Sequence, residues 1–324
     1  MILWFRCGLH KEVCADLSET KSPLPWTGNK GCIYDTIDAF MPEHRVYIEP
    51  CMGSAEVFLQ KKPAEKEILN DYNGDLVKFF RVLQRNEKLA YILGRLYLSF
   101  NAEQLFRANK ALLADVPNIL DDVTETAVII ENAQWHDIEL AVAFMENQVF
   151  SFSSTGKTFA IAKKDMTKRF GRLIAASSRL RDAIILHRDY RDAIDYGAGK
   201  DTFILLDPPY KGTERYYQKA DFGEDSHAQL FAYMNGIHEK FRGECKFLIT
   251  YNNDPYIQEL AAQYGFDRYV QPRLHNMAQV AHPGEMFEEL LIANYALSEQ
   301  AEKNHRYLKD QTRQMTLFDY NHDY

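Results

Sequence analysis

Cysteine is scarce in this sequence, and its pattern fits neither a disulfide framework nor a zinc site. The five cysteines are Cys7, Cys14, Cys32, Cys51 and Cys245, and no two of them show Cys-x-x-Cys spacing. An odd number of unpaired cysteines is typical of a reducing compartment. The sequence therefore predicts a cytoplasmic protein without a structural metal.

Long apolar runs and an excess of positive charge are missing as well. No run approaches the roughly 18–20 apolar residues of a membrane span. The apolar start of the chain is short and is followed by charged residues, unlike a secretory signal. The net charge of −8 argues against a non-specific nucleic-acid coat. Hydrophobic residues make up 46% of the 324 residues, which is enough for a proper core.

Two glycine-rich nucleotide motifs are also absent. The chain has no Gly-x-Gly-x-x-Gly, which weakens a dehydrogenase interpretation, and no Gly-Lys-Ser/Thr after a glycine loop, which disfavours a triphosphatase. Instead, Glu49-Pro50-x-x-Gly53 lies between a predicted strand and a predicted helix, and Asp71 ends the next predicted strand. An acid at about this spacing binds ribose hydroxyls in nucleotide folds. S-adenosylmethionine, an adenosine cofactor without a pyrophosphate, fits this pattern best.

The segment Asp207-Pro208-Pro209-Tyr210 follows the apolar run 203–206, which predicts a buried strand ending at a functional loop. The prolines lack amide donors but keep their carbonyls, and Asp207 adds two acceptor oxygens. Such a loop suits a group that brings N–H donors and becomes positive as it reacts, such as the exocyclic amine of a nucleobase. Tyr210 offers a flat face on which an extruded base can stack.

The order of predicted elements indicates a doubly wound α/β sheet with an insertion. We expect strands at 45–49, 67–69, 183–186, 203–206, 246–251 and 290–295. From about residue 84 to 181 the alternation stops, and the pieces are helical apart from a hairpin at 150–159. The predicted domains are a catalytic domain in residues 1–83 and 182–298, a mostly helical insert in 84–181, and a polar, mobile tail in 299–324.

Positive charge is concentrated in one segment of this acidic chain. Residues 155–192 contain ten Lys or Arg against four Asp. A solvated helix face would give the same count, but beside the other motifs we interpret the segment as a phosphate-contacting surface. The candidate DNA-contacting residues are Lys157, Lys163, Lys164, Lys168, Arg169 and Arg172.

In their order along the chain, the motifs resemble those of the DNA adenine-N6 methyltransferases related to DNA adenine methylase, a type common in phages and restriction systems. The matching pieces are Trp26–Lys30, Tyr47–Phe58, Leu69–Asp75, Phe150–Phe159, His187–Tyr190, Asp207–Tyr210 and Leu290–Tyr295. The resemblance implies a Rossmann-like, S-adenosylmethionine-dependent methyltransferase with an inserted target-recognition domain. It also implies the cytoplasm of a bacterial or phage-infected cell.

The resemblance further implies roles for single residues. Asp207 and the Pro208 carbonyl would hold the target amine of double-stranded DNA, Tyr210 would stack on the flipped base, and Pro209 completes the catalytic motif. Methyl transfer would be direct and in line, without a metal. The residues that would contact the cofactor are Trp26, Lys30, Glu49, Pro50, Gly53, Asp71, Asp189 and Tyr190.

Some positions depart from the family pattern, and other functions stay open. Ala55 and Asn29 occupy positions where glycine is usual, and Cys51 replaces a common phenylalanine. The alternatives are a cytosine-N4 DNA methyltransferase, an RNA adenine methyltransferase, and a catalytically silent DNA-binding relative in which Ala55 blocks the cofactor. Cytosine C5 methylation is disfavoured, because its nucleophile would have to be Cys51, in the cofactor turn.

The tail carries a short motif of its own. Residues 314–318 resemble the Gln-x-x-Leu-Phe peptide that docks bacterial sliding clamps, with Gln314, Leu317 and Phe318 as the matching positions. A chance match in a polar tail is the alternative. The hypothesis is that this segment recruits the enzyme to replicating DNA.

Overall fold

The computed structural model describes residues 21–124, 135–161, 164–213, 222–274 and 286–304. Lys163 and the tail motif with Gln314, Leu317 and Phe318 lie outside the described residues. Their predicted roles therefore stay predictions from the sequence.

Within the described ranges, seven strands form one mixed sheet in the order β3-β2-β1-β4-β5-β7-β6. Strand β2 runs parallel to β1 and β3, and β4 runs parallel to β5, whereas β7 is antiparallel to β5 and β6. The predicted α/β sheet is confirmed. The strands are β1 (Val46–Glu49), β2 (Lys66–Asn70), β3 (Ile184–Leu186), β4 (Thr202–Leu206), β5 (Cys245–Asn252), β6 (Asp267–Leu274) and β7 (Met286–Ala293).

Several helix starts follow from local sequence. Asn73 caps α3, because its side chain accepts from the amides of Asp75 and Leu76, and Asp254 caps α10 ahead of a proline in its first turn. The helices of the described residues include α1 (Tyr34–Phe40), α2 (Glu56–Gln60), α3 (Gly74–Leu83), α4 (Asn86–Tyr97), α5 (Glu103–Ala114), α6 (Trp135–Phe150), α7 (Phe170–Arg179), α8 (Tyr190–Gly197), α9 (Glu224–Lys240) and α10 (Pro255–Gln263).

Strand β6 was not anticipated from the sequence. It contains Pro272, and a proline normally argues against a strand. Because β6 is the last strand in the sheet order, the missing N–H of Pro272 costs little there. Its partner β7 begins at Met286 and ends at Ala293, earlier at both ends than the predicted strand.

The chain divides into two compact units. The first comprises residues 1–31, 46–197 and 212–222, and the second comprises 32–45, 198–211 and 223–324. In the first unit, α6 is buried along nearly its whole length and packs against α3 and α5. The helices after residue 84 therefore share a core with α3, which precedes them. The domain boundaries predicted at 84 and 181 stay a prediction.

Two features are absent from the described ranges. None of their helices is long and apolar enough to cross a membrane. Nor do these residues contain a group of three or more His, Cys, Asp or Glu side chains that could hold a metal ion.

Candidate active site

The glycine loop, residues 50–54, connects β1 to α2 in the first unit. Gly53 has a positive φ of 47°, and its N–H donates to Asp71 Oδ2 at 3.0 Å. The Trp26 indole lies directly against this glycine, since a Cβ at position 53 would stand 3.0 Å from Trp26 Nε1. The structure therefore brings together three of the residues that the sequence assigns to the cofactor.

Asn70 ties together the loops that follow β1, β2 and β3. Its Nδ2 donates to Pro50 O at 2.8 Å and to Arg188 O at 3.0 Å, while its Oδ1 accepts from Arg188 N at 2.8 Å. The residue is 1% exposed, so its loss would leave buried backbone groups unpaired. Sequence reasoning missed this role, although a polar residue closing an apolar strand just before Asp71 was an available signal.

Glu49 and Asp189, two more predicted cofactor acids, each have a protein partner. Glu49 is buried at the end of β1, and its Oε2 accepts from Tyr47 OH at 2.9 Å. Burial and then the charge of Glu49 raise the pKa of Tyr47 well above its usual value, so this phenol remains a donor. Asp189 accepts from the amide of Arg191 at 2.9 Å and from its guanidinium at 2.8 Å. Burial raises the pKa of the adjacent Tyr190 to about 12.

The N-terminal motif, residues 26–30, is joined to the glycine loop through Asn29. The Asn29 side chain donates to Ser54 Oγ at 3.0 Å and to Glu56 Oε2 at 2.7 Å. A glycine at position 29 could make neither bond, so this departure from the family pattern has a structural use. Lys30 is buried, and its amine donates at 2.8 Å to a carbonyl of the same motif.

Ala55 adopts the left-handed conformation, with φ 54° and ψ 31°. A glycine would adopt it without strain, whereas a residue with a Cβ loses about 1–2 kcal/mol. Ala55 is fully buried, and its N–H donates to Met52 O at 2.6 Å, so packing and a tight turn hold it in place. The glycine-like backbone of the family pattern is therefore kept here without a glycine.

We expect Gly53→Ala to lower both the stability of the protein and its affinity for S-adenosylmethionine. The positive φ costs an alanine about 1–2 kcal/mol, and the new Cβ would press on the Trp26 indole. Gly265→Ala is the matched control, because Gly265 has a φ of 67° but no atom within 4 Å of its Cβ position. Thermal unfolding and calorimetric titration measure the two effects. Unchanged cofactor affinity in Gly53→Ala would contradict the assignment.

The Asp-Pro-Pro-Tyr loop, residues 207–210, follows β4 in the second unit, and all five residues of β4 are buried. Thr250 of β5, which is 0% exposed, donates its hydroxyl to Asp207 Oδ1 at 2.6 Å. Tyr210 donates its hydroxyl to Glu289 Oε2 on β7, also at 2.6 Å. Side chains of neighbouring strands thus fix both the carboxylate and the ring. Sequence reasoning identified the loop but neither of its two partners.

The basic segment forms a surface only in part. Arg188 is buried, and Arg179 is paired with Glu67. Of the candidate DNA contacts that the structure describes, Lys168 is exposed, and the partly exposed ones are Lys157, Lys164, Arg169 and Arg172.

Two of these cations, Arg169 and Lys164, have a lowered pKa. Burial and the charge of Arg172 lower the pKa of Arg169, and burial and the charge of Arg169 lower the pKa of Lys164. The hydrogen bonds of Arg169 and Lys164 go to backbone carbonyls of Pro23 and Ser151. A bound anion would relieve the mutual repulsion of these cations.

A glycine loop after β1, an acid after β2 and an Asp-Pro-Pro-Tyr loop after β4 define the class of the molecule, an α/β methyltransferase fold. The chain belongs to the D12 class N6 adenine-specific DNA methyltransferase family, whose sequence model matches residues 26–277. The predicted family is thereby confirmed.

Two groups of curated relatives share parts of this chain. It is 26% identical over 261 residues to a DNA N-6-adenine-methyltransferase of Escherichia phage P1, which covers 76% of this chain and 32% of the relative. It is 34% identical over 76 residues to the DNA adenine methylase of Vibrio cholerae, which covers 24% of this chain and 27% of the relative. The chain thus spans a third or less of the length of the curated relatives it matches.

Proposed function

We propose that this chain transfers a methyl group from S-adenosylmethionine to the N6 amine of an adenine in double-stranded DNA. The observation that carries the proposal is the Asp207 carboxylate, which Thr250 holds at the end of a buried strand in a chain of the D12 class. The names of the relatives, an N-6-adenine-methyltransferase and an adenine methylase, support the same target.

Asp207 acts on the target amine. The lone pair of an exocyclic amine is delocalised into the base, which makes the amine a poor nucleophile. Asp207 and the Pro208 carbonyl accept its two hydrogens, localise the lone pair and stabilise the positive charge that develops during transfer. Tyr210 stacks on the flipped adenine, and the rate comes from positioning and charge stabilisation.

The residues of the first unit fit S-adenosylmethionine. Glu49 and Asp71 supply carboxylates at the ends of two neighbouring parallel strands, where nucleotide folds bind ribose hydroxyls. Tyr190 supplies a half-buried aromatic ring against which the adenine of S-adenosylmethionine can lie. We assign cofactor contacts to Trp26, Lys30, Glu49, Pro50, Gly53, Asp71, Asp189 and Tyr190. The bound cofactor supplies the electrophilic methyl group.

Double-stranded DNA would contact the basic segment and the nearby hairpin. Phe152 is 65% exposed at the hairpin turn, where Ser153 and Ser154 have positive φ of 50° and 55°. An exposed aromatic ring on a constrained turn can stack on bases. The sequence pointed to the hairpin but not to Phe152, although an aromatic residue beside two serines was a usable signal.

We expect a Lys168→Gln, Arg172→Gln double variant to bind DNA more weakly and with a smaller salt dependence. Each phosphate contact contributes about one unit to the slope of log K against log salt concentration, so the slope should fall by about two. Fluorescence anisotropy with several duplex sequences measures it. Lys240→Gln, an exposed lysine at the end of α9, is the control. An unchanged slope would remove these two residues from the interface.

The proposed reaction is tested by methyl transfer from labelled S-adenosylmethionine to unmethylated duplex DNA, followed by digestion and chromatography of the nucleosides. Labelled N6-methyladenine is the expected product. Labelled N4-methylcytosine would indicate the same mechanism acting on cytosine. Label on RNA alone would indicate an RNA methyltransferase. No label on any substrate, with no cofactor binding by calorimetry, would favour a silent DNA-binding relative.

Docking to a sliding clamp through Gln314, Leu317 and Phe318 is a further proposal from the sequence alone. The motif matches a clamp-binding peptide in spacing and residue type. Clamp binding by a Leu317→Ala, Phe318→Ala double variant tests it, and binding equal to that of the unaltered chain would refute it.

A further inference from the structure

The second unit contains a buried ion pair attached to the Asp-Pro-Pro-Tyr loop. Glu289 on β7 is 1% exposed, and both of its oxygens are bonded. Its Oε2 accepts from Tyr210 OH at 2.6 Å, and its Oε1 accepts from Arg273 Nε at 3.0 Å and Nη2 at 2.7 Å. Carboxylates are rarely buried unless paired. The pairing with Arg273 gives the second oxygen of Glu289 a charged hydrogen-bond partner.

The strand register places this pair on the same face as the other loop anchors. Glu289 stands opposite Asn252 on β5 and opposite Gln271 on β6. Cross-strand partners share a face of the sheet, and so do residues two apart along a strand. Thr250, Asn252, Glu289 and Arg273 therefore lie on one face.

Three of these side chains form hydrogen bonds with successive parts of the loop and the residue that follows it. Thr250 bonds to the Asp207 carboxylate, and Glu289 bonds to the Tyr210 hydroxyl. Asn252 Nδ2 donates to Lys211 O at 3.4 Å. The sheet face thus fixes the carboxylate, the ring and the backbone that follows the ring.

We propose that Glu289, held by Arg273, is a positioning residue that sets the plane of the Tyr210 ring and thereby the orientation of the base stacked on it. The proposal rests on the proposed function, in which that base is the methylation target. The target amine must meet Asp207, and small misplacements of reacting groups cost large factors in rate. A short hydrogen bond to a buried carboxylate that is itself paired with a guanidinium holds the ring in place.

The titration of Tyr210 supports this role. Burial, followed by the charges of Asp207 and Glu289, raises the pKa of Tyr210 well above its usual value. The phenol therefore stays protonated at neutral pH and donates to Glu289.

Single-turnover methyl transfer at saturating duplex DNA and S-adenosylmethionine tests the proposal. We expect Tyr210→Phe and Glu289→Gln each to lower the rate about tenfold, the effect of losing about 1.4 kcal/mol of transition-state positioning. The double variant should be no slower than the slower single variant, because both changes remove one shared interaction. Affinities for DNA and cofactor should stay unchanged. Glu288→Gln, the exposed neighbour on the same strand, should keep the rate of the unaltered enzyme.

Tyr210→Phe leaves the Glu289–Arg273 pair intact. This variant therefore tests the role of the Tyr210–Glu289 hydrogen bond even if Glu289→Gln fails to fold. An unaltered rate in Tyr210→Phe, or a double variant whose loss is the product of the two single losses, would overturn the inference alone. An unaltered enzyme that places no methyl group on DNA adenine would overturn the proposed function and the inference with it.

Discussion

Asp207→Ala is expected to lower the rate of methyl transfer by about 10²- to 10³-fold, the usual loss when one preorganised group that stabilises transition-state charge is removed. The variant lacks the carboxylate that Thr250 holds at 2.6 Å, and therefore lacks the main acceptor for the target amine. Affinities for S-adenosylmethionine and DNA should change little, because the residues assigned to the cofactor and to the DNA phosphates lie in the first unit, whereas Asp207 lies in the second. Single-turnover kinetics, calorimetry and anisotropy measure the three quantities.

Two further variants make this result specific. Asp225→Ala removes an exposed carboxylate from the first turn of α9 in the same unit, and it should retain the full rate. Thr250→Val keeps Asp207 and the local volume but removes the hydroxyl that orients it, so its loss should be intermediate. A fully active Asp207→Ala variant would mean that another group accepts the amine hydrogens.

The sequence was sufficient to place the loops that carry the proposed chemistry. The apolar run at 203–206 predicted β4, and Asn73 marked the start of α3 with the cap it forms in the structure. These signals are local, because strand burial and helix capping depend on residues close together in the chain. The family motifs then matched this chain in their order along the sequence.

The partners of those loops could not be read in the same way. Thr250 lies 43 residues from Asp207, and Glu289 lies 79 residues from Tyr210. No local sequence pattern predicts which buried polar residue will form a hydrogen bond with which loop. Strand β6 was not predicted for a different reason. A proline such as Pro272 is tolerated in a strand at the edge of a sheet. Whether a strand lies at an edge depends on the whole sheet and not on the local sequence.

Arg179 is one of the ten basic residues in the segment interpreted as a DNA surface. A count of charges cannot show that this residue is paired within the fold. Its guanidinium lies over the Phe58 ring at 3.9 Å and donates through Nη2 to Glu67 Oε1 at 2.7 Å. Lys61 Nζ donates to the same oxygen, also at 2.7 Å. The Lys61 and Glu67 side chains are 1% and 7% exposed. Two cations therefore depend on one buried carboxylate near the start of β2.

Glu67→Gln should lower the free energy of unfolding by about 3–5 kcal/mol, because it leaves buried positive charges uncompensated. Burial alone would raise the pKa of Glu67, but hydrogen bonds from Arg179 and Lys61 outweigh it and lower that pKa. The contribution of Glu67 is thus present above its unfolded pKa of about 4.3 and is lost as pH falls through the folded value.

Urea unfolding from neutral pH down to about pH 2, through the folded pKa of Glu67, should therefore show a steeper acid loss in the unaltered chain than in Glu67→Gln. Glu103→Gln is the matched control, since its exposed i,i+4 pair with Arg107 contributes only about 0.3–0.5 kcal/mol. Equal changes in the free energy of unfolding of the two variants would show that the buried cluster contributes no more than an exposed ion pair. A large loss confined to Glu67→Gln would instead explain why Arg179 is unavailable to DNA, because the fold requires it where it is.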